Sequence, residues 1–289
     1  MRIFVTGASG FIGSAIVREL IAAGHQVLGL ARSDAAARSV AAAGAEVHRG
    51  ALEDLESLRR GAAASDAVIH TAFVHDFSKY AESCQTDKVA IEALGDALVG
   101  TGRPLIVSTG VLGVTTEDDS PSDSLPRKSE EAALSMTAKG VRAMVIRLPP
   151  SVHGDGDHGF IPMLIRTARD NGFAPYVGDG QNRWSAVHRL DAARLYRLAL
   201  EKGQAGARFH GVAESGVPIE EIAKVIGRRL GVPAASKSSE EAAALLGFIG
   251  QVLAMNAESS SARTREILGW RPNEPGLIAD LENGSYFDA

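Results

Sequence analysis

The chain has 289 residues, 45% of them hydrophobic and 22% charged, with a formal net charge of −5. That composition is ordinary for a globular protein, and the acidic balance argues against nucleic acid or an anionic membrane as partner. The single cysteine, Cys84, cannot close a disulfide within the chain, and the first residues run into a glycine turn without an apolar leader, so a cytoplasmic protein with no membrane span is expected.

Residues 2–6 read as a short apolar strand that runs into Gly7-Ala8-Ser9-Gly10-Phe11-Ile12-Gly13. Ile12, Ile16 and Leu20, with Val17 and Ile21, recur at helical spacing and predict a helix that stops near Gly24. Further strands are expected over 26–30, 45–48, 67–70, 104–108 and 142–148, and helices over 34–43, 53–60, 80–99 and 128–138. Asp34 is expected to cap the helix that it opens. Six strands alternating with helices imply an α/β fold, a Rossmann-type doubly wound parallel sheet with ligands beyond the carboxyl ends of its strands. After Pro149-Pro150 the chain becomes rich in glycine, histidine and aspartate over 151–184, with helices expected near 162–170, 190–201, 218–230 and 262–268. The expected division is a dinucleotide-binding domain over 1–149 and a smaller C-terminal substrate lobe over 150–289, with 186–201 returning to the first domain.

The turn carries the first chemistry. Gly7, Gly10 and Gly13 stand three apart between a strand and an amphipathic helix. Glycine there permits a tight turn, close approach of the backbone to a pyrophosphate, and close helix–strand contact, while the helix N-terminus offers its N–H groups to phosphate. A lone glycine pattern is weak; one that opens a βαβ unit is strong. Ser9, Phe11 and Ile12 complete the cofactor-binding turn. No spacing of His, Cys, Asp or Glu defines a metal site, although Asp155, Asp157 and His158 cluster in one loop.

Thr6-Gly7-Ala8-Ser9-Gly10-Phe11-Ile12-Gly13, Val68-Ile69-His70-Thr71-Ala72, Arg147-Leu148-Pro149-Pro150-Ser151-Val152-His153-Gly154, Ala186-Val187-His188-Arg189-Leu190-Asp191 and the closing Leu268-Gly269-Trp270-Arg271-Pro272 resemble the short-chain dehydrogenase/reductase superfamily, in its extended and atypical branches. The overall pattern is similar to bacterial NAD-dependent epimerase/dehydratase-like proteins. The resemblance implies that Leu52 lines the adenine and that Thr71, Ala72 and Pro149 border the cofactor. NAD enzymes place a carboxylate at the end of the second strand. Here Ala31 stands at that position and is followed by Arg32, a permanently charged fork suited to a 2′-phosphate, so NADP is expected over NAD.

The superfamily's proton donor is a tyrosine four residues before a lysine. The expected place maps near Ser122 to Pro126 and holds neither residue; Lys128 is close but at the wrong offset. None of Tyr80, Tyr176, Tyr196 and Tyr286 lies between the fifth and sixth strands. Ser108 or Thr109, with Thr109 favoured, is implied as the hydroxyl facing the nicotinamide. His153 is a candidate for proton transfer, and His158 for a substrate or proton-transfer role, against a loop-structuring reading of both. His70 reads as a satisfied core histidine, and His188 as structural. Arg183 falls where extended relatives hold a nucleotide-sugar diphosphate. Tyr176 and Trp184 are expected to line a pocket, with Phe73, His75 and Phe77 as its other wall, against a reading of plain packing.

The expected function is an NADP-dependent oxidoreductase acting on a carbonyl or alcohol of a small, fairly apolar substrate with a non-standard proton donor. The alternatives are a nucleotide-sugar epimerase or dehydratase, which normally needs the absent pair, and a non-catalytic NADP-binding sensor. The partner expected is a small-molecule substrate, and the resemblance leaves a homodimer through the helices flanking the sheet as the assembly to look for.

Overall fold

The computed structural model describes residues 1–121 and 126–288. The first half alternates strand and helix: β1 (Arg2–Thr6), α1 (Phe11–Ala22), β2 (Gln26–Ala31), α2 (Asp34–Ala42), β3 (Glu46–Arg49), α3 (Leu55–Ala63), β4 (Ala67–His70), α4 (Tyr80–Asp96), β5 (Pro104–Gly110), α5 (Ser129–Ser135) and β6 (Arg142–Leu148). The second half holds β7 (Ser151–His153), α6 (Phe160–Asn171), β8 (Ala174–Val177), β9 (Arg183–His188), α7 (Arg189–Lys202), β10 (Arg208–His210), β11 (Glu214–Pro218), α8 (Ile219–Leu230), β12 (Ala234–Lys237), α9 (Ser239–Leu246), α10 (Phe248–Leu253), α11 (Ala262–Leu268) and α12 (Leu277–Asn283).

The main sheet is parallel throughout, in the order β3-β2-β1-β4-β5-β6-β10. This is the expected doubly wound sheet, extended by a strand. Arg208–His210 is too short to show a two-residue alternation, and it joins the edge only because it pairs with β6. The order reverses between β1 and β4, where a crevice opens at the carboxyl ends. One face of the sheet packs Ile16, Val17 and Leu20 of α1 against Leu195, Tyr196 and Ala199 of α7; the other buries Leu58, Ile91 and Leu94 of α3 and α4.

A separate core joins α6, α8 and α12 around Trp184, Ile222 and Leu281. It is built on a sheet of β11-β9-β7 and a pair β12-β8. The return to the first layers extends beyond 186–201: β10 enters the main sheet, and Leu268 and Trp270 pack in the core of α1 and α7. The cap of α2 is corrected to Ser33, whose hydroxyl accepts from Ala36 N at 3.2 Å, while Asp34 pairs with Arg49 at 2.5 Å. Among the described residues, no helix is long and apolar enough to cross a membrane.

Candidate dinucleotide and reaction site

The glycine turn is shaped by steric need. Gly7 has φ +70, and a Cβ there would lie 2.6 Å from Thr71 Oγ1 and 2.8 Å from Ala72 N. A Cβ on Gly13 would lie 2.0 Å from the Gly7 carbonyl oxygen. Gly10 opens α1 without a side-chain cap, so the first N–H groups of the helix face out with no competing acceptor from a cap residue. Thr71 Oγ1 donates to Thr6 O at 2.8 Å, tying the end of β4 to the turn, and Ala72 N donates to Thr6 Oγ1 at 3.4 Å. Ser9 is exposed, Phe11 and Ile12 are half-buried, and Pro149 is buried at the end of β6. Leu52 packs with Leu30 beside the end of β2. Arg32 is exposed there and makes no ion pair among the described residues, while Asp34 is engaged by Arg49. A pyridine dinucleotide fits this arrangement: the turn and α1 would hold its diphosphate, Leu52 its adenine, and Thr109 would stand at its reacting end.

At the end of β5 alternate residues face opposite ways. Ser108 Oγ donates to His70 O at 2.9 Å and lies 2.6 Å from Tyr196 Oη, a buried phenol whose pKa is pushed up by burial. Ser108 is thereby tied into the layer of α7. Thr109 Oγ1 is buried and has no partner among the described residues. An orphaned hydroxyl at a sheet's carboxyl end is the kind of atom a ligand completes.

Beside it lies a polar cluster that no motif announced. Arg127, just ahead of α5, donates through Nη2 to Ser108 O at 3.1 Å and through Nε to Ser129 Oγ at 2.9 Å. Its guanidinium lies 4.3 Å over the Phe73 ring, and Phe73 meets His75 edge-on at 5.2 Å and Tyr80 at 6.1 Å. Buried Asp87 on α4 accepts from His70 Nε2 at 3.0 Å and from the Ser129 hydroxyl, and stands 3.9 Å from Arg127 Nε. Burial alone would push the Asp87 carboxyl up, but His70, Arg127 and Ser129 together hold it below the ordinary carboxylate range. His70 Nδ1 is 2.9 Å from Thr6 Oγ1, so this histidine is a satisfied core residue, as expected. Asp87 could have been suspected: it falls on the helical stripe of Cys84, Ile91 and Leu94, where a lone carboxylate must find partners. Arg127 carried no such signal. Of Ser122 to Pro126, the expected place of the tyrosine–lysine pair, residues 122–125 lie outside the described residues, as does the Phe77 side chain.

Other expected site residues are placed elsewhere. His153 is fully buried, with Nδ1 2.7 Å from Asp280 Oδ2 and its ring edge-on to His188, so it links β7 to α12, while its Nε2 has no hydrogen-bond partner among the described residues. Trp184 is 0% exposed and packs on Phe160 at 5.6 Å; it belongs to the second core and has no surface for a substrate to touch. Arg183 Nη1 donates to Gly216 O at 3.1 Å, joining β9 to β11. Tyr176 is half-buried on β8, at the rim of that same core. His158 alone of this group reaches the cofactor turn, with its ring 5.8 Å from Phe11. The loop that carries it is held from the C-terminus: Tyr286 Oη donates to Asp157 Oδ2 at 2.9 Å and accepts from Gly154 N at 3.1 Å, and Ser285 Oγ donates to Asp155 Oδ1 at 2.7 Å. Among the described residues, no three His, Cys, Asp or Glu side chains are placed as a metal site.

Fold and turn define a Rossmann-type dinucleotide-binding protein. Residues 3–94 match the model of the NAD dependent epimerase/dehydratase family. An uncharacterized protein of Schizosaccharomyces pombe, C2A9.02, is 51% identical over 296 residues, covering 99% of this chain and 100% of that one. A 2-alkyl-3-oxoalkanoate reductase of Stenotrophomonas maltophilia is 28% identical over 261 residues, covering 82% and 78%. Among solved structures, dTDP-glucose 4,6-dehydratase of Streptomyces venezuelae with NAD bound superposes with a TM-score of 0.80 at 22% identity, over 100% of this chain and 97% of that one. The chain belongs to the epimerase/dehydratase-like, atypical branch of the short-chain dehydrogenase/reductase superfamily, and the dehydratase structure shows that it shares the fold. Its relatives support an NAD(P)-dependent oxidoreductase type of activity.

Proposed function

We propose that this protein is an NADPH-dependent reductase of a carbonyl group on a small, fairly apolar molecule. The observation that carries the reading is the buried Thr109 hydroxyl, without a partner among the described residues, at the carboxyl end of β5, beside the strand that closes on the glycine turn. The bound dinucleotide would supply the reducing equivalent to the carbonyl carbon. Thr109 donates a hydrogen bond to the carbonyl oxygen, which fixes its distance from the cofactor and polarises it. The turn and α1 bind the diphosphate, and Arg32 receives the 2′-phosphate through a charge-assisted pair. Phe73 supplies an apolar wall. The related oxoalkanoate reductase also acts, by its name, on a ketone.

A nucleotide-sugar reading has less support, because Arg32 follows Ala31 where an NAD enzyme of that kind carries a carboxylate. The test is calorimetric titration with NADPH and NADH, followed by NADPH oxidation across a panel of aldehydes and ketones. NADPH should bind at least tenfold more tightly than NADH and be consumed with one chemical group of the panel. Tighter NADH, or no turnover above background with any carbonyl, would defeat the proposal.

A further inference from the structure

We infer that Arg127 and His75 divide between them the work of the missing tyrosine–lysine pair: Arg127 holds the substrate's carbonyl oxygen as negative charge gathers on it, and His75 delivers the proton that completes the alcohol. The inference rests on the reading of carbonyl reduction and assigns the residues that act at that site.

Geometry comes first. Arg127 enters from the segment that precedes α5 and is fixed along one edge, Nη2 to the Ser108 carbonyl at 3.1 Å and Nε to Ser129 Oγ at 2.9 Å. Its flat face rests on Phe73 at 4.3 Å. Among the described residues Nη1 makes no hydrogen bond, and the buried Thr109 Oγ1 has no partner. Two donors, one charged, are therefore left at the end of β5 without an acceptor among the described residues. Such a pair suits an oxygen that becomes an alkoxide. A guanidinium stays protonated throughout, so Arg127 stabilises the charge but cannot supply the proton.

The proton must come from another group. His75 stands edge-on to the same Phe73 ring at 5.2 Å and keeps part of its own ring at the surface. Partial burial, then the charge of Arg127 and a protonated His158, hold its imidazole below the ordinary value, against weaker opposing effects of the Phe73 backbone and Asp87. Among the described residues, the charged groups acting on it include Arg127 ahead of α5, His158 in the 154–159 loop and Asp87 on α4. Tyr80, also against Phe73, is the poorer acid, since burial and Cys84 push its phenol up.

The reduced dinucleotide, when bound, would supply a hydride, and with it the electron pair of the new C–H bond, to the carbonyl carbon. The C=O π pair moves onto oxygen beside Arg127, an O–H bond forms as an N–H bond of the His75 imidazolium breaks, and neutral His75 recovers its proton from solvent. Reduction should therefore decline as pH rises through a value below about 6.5, and alcohol oxidation should rise through the same range.

The experiment compares the wild type with His75→Asn and Arg127→Gln. NADPH affinity is read by fluorescence titration, turnover with butanal and acetophenone is followed against pH, and the His75 titration in the unliganded protein is read by NMR. His75→Asn should keep NADPH affinity within about twofold, lower kcat about 100-fold and flatten the pH profile. Arg127→Gln should lower kcat/KM about 100-fold and move the His75 titration upward, since a positive neighbour is lost. A His75→Asn enzyme with wild-type kcat and pH profile, or a His75 titration unmoved in Arg127→Gln, overturns the assignment. So does loss of the same pH limb in Tyr80→Phe. A wild type that binds NADPH but reduces neither probe nor any other carbonyl defeats the proposed function, and this assignment with it; failure in the variants alone defeats only the assignment.

Discussion

The two sides of the crevice are built by different physics. On the cofactor side, shape is set by backbone: Gly7 and Gly13 leave no room for a Cβ, and α1 begins without a cap. On the reaction side, position is set by buried charge. Arg147, fully buried on β6, donates to both Glu130 oxygens at 2.9 and 2.7 Å, and through its two Nη groups to the Thr116 and Asp119 carbonyls of the loop after β5. Arg208 joins from β10 at 2.6 Å, and Asp87 organises His70, Ser129 and Arg127 in a parallel fashion. The cofactor side should thus fail by steric intrusion and be indifferent to acid. The other should fail when a charge is removed.

The largest effect tests the charged side. Glu130→Ala leaves Arg147 buried without its carboxylate and should cost about 3–5 kcal/mol in urea unfolding. Acid should do part of the same work. Burial would push Glu130 up, but hydrogen bonds from Arg147 and Arg208 outweigh it and hold the carboxyl below its ordinary range; Asp87 behaves likewise. A folded pKa below the unfolded one means stabilisation that is complete above about pH 4 and is lost as pH falls through the lower folded values. Unfolding free energy measured from neutral pH downward should show that loss, and Glu130→Ala should flatten it. A profile unchanged by the substitution would erase the contrast between the two sides.

Next in size is Gly13→Ala, which drives a methyl group into the Gly7 carbonyl. NADPH affinity should drop roughly 100-fold, as expected when a binding turn is displaced by about an ångström, with about 1–3 kcal/mol of stability lost to overpacking. Arg32→Ala sharpens the picture, because it removes charge from the cofactor side without touching its shape. NADPH affinity should fall about 10- to 30-fold, NADH affinity should stay level, and thermal stability should not move. Equal loss for both cofactors would remove Arg32 from the 2′-phosphate. Smallest is Thr109→Val, which deletes the orphaned hydroxyl at nearly constant volume. A loss of about fivefold in kcat/KM, with NADPH affinity intact, is expected from one neutral hydrogen bond. Weaker NADPH binding without a change in turnover would place that hydroxyl on the cofactor alone.

What local sequence determined is whatever a few adjacent residues settle by sterics or periodicity. The glycine turn, the strands 67–70 and 142–148, the helix 262–268 and the doubly wound order of the first half belong here, as does an arginine, Arg32, in place of a carboxylate after the second strand. What tertiary structure alone decided is which distant polar side chains meet. Residues 73, 75, 87, 109 and 127 lie on four separate segments, and only the pairing of β4 with β5 and the return of α4 bring them together. The same holds for His153 and Trp184, both buried: α12 brings Asp280 to His153 Nδ1, and Phe160 packs on the Trp184 ring. Local pattern encodes which face a residue occupies; the partner on that face comes from elements far away in the chain, and a buried charge or ring takes its role from that partner.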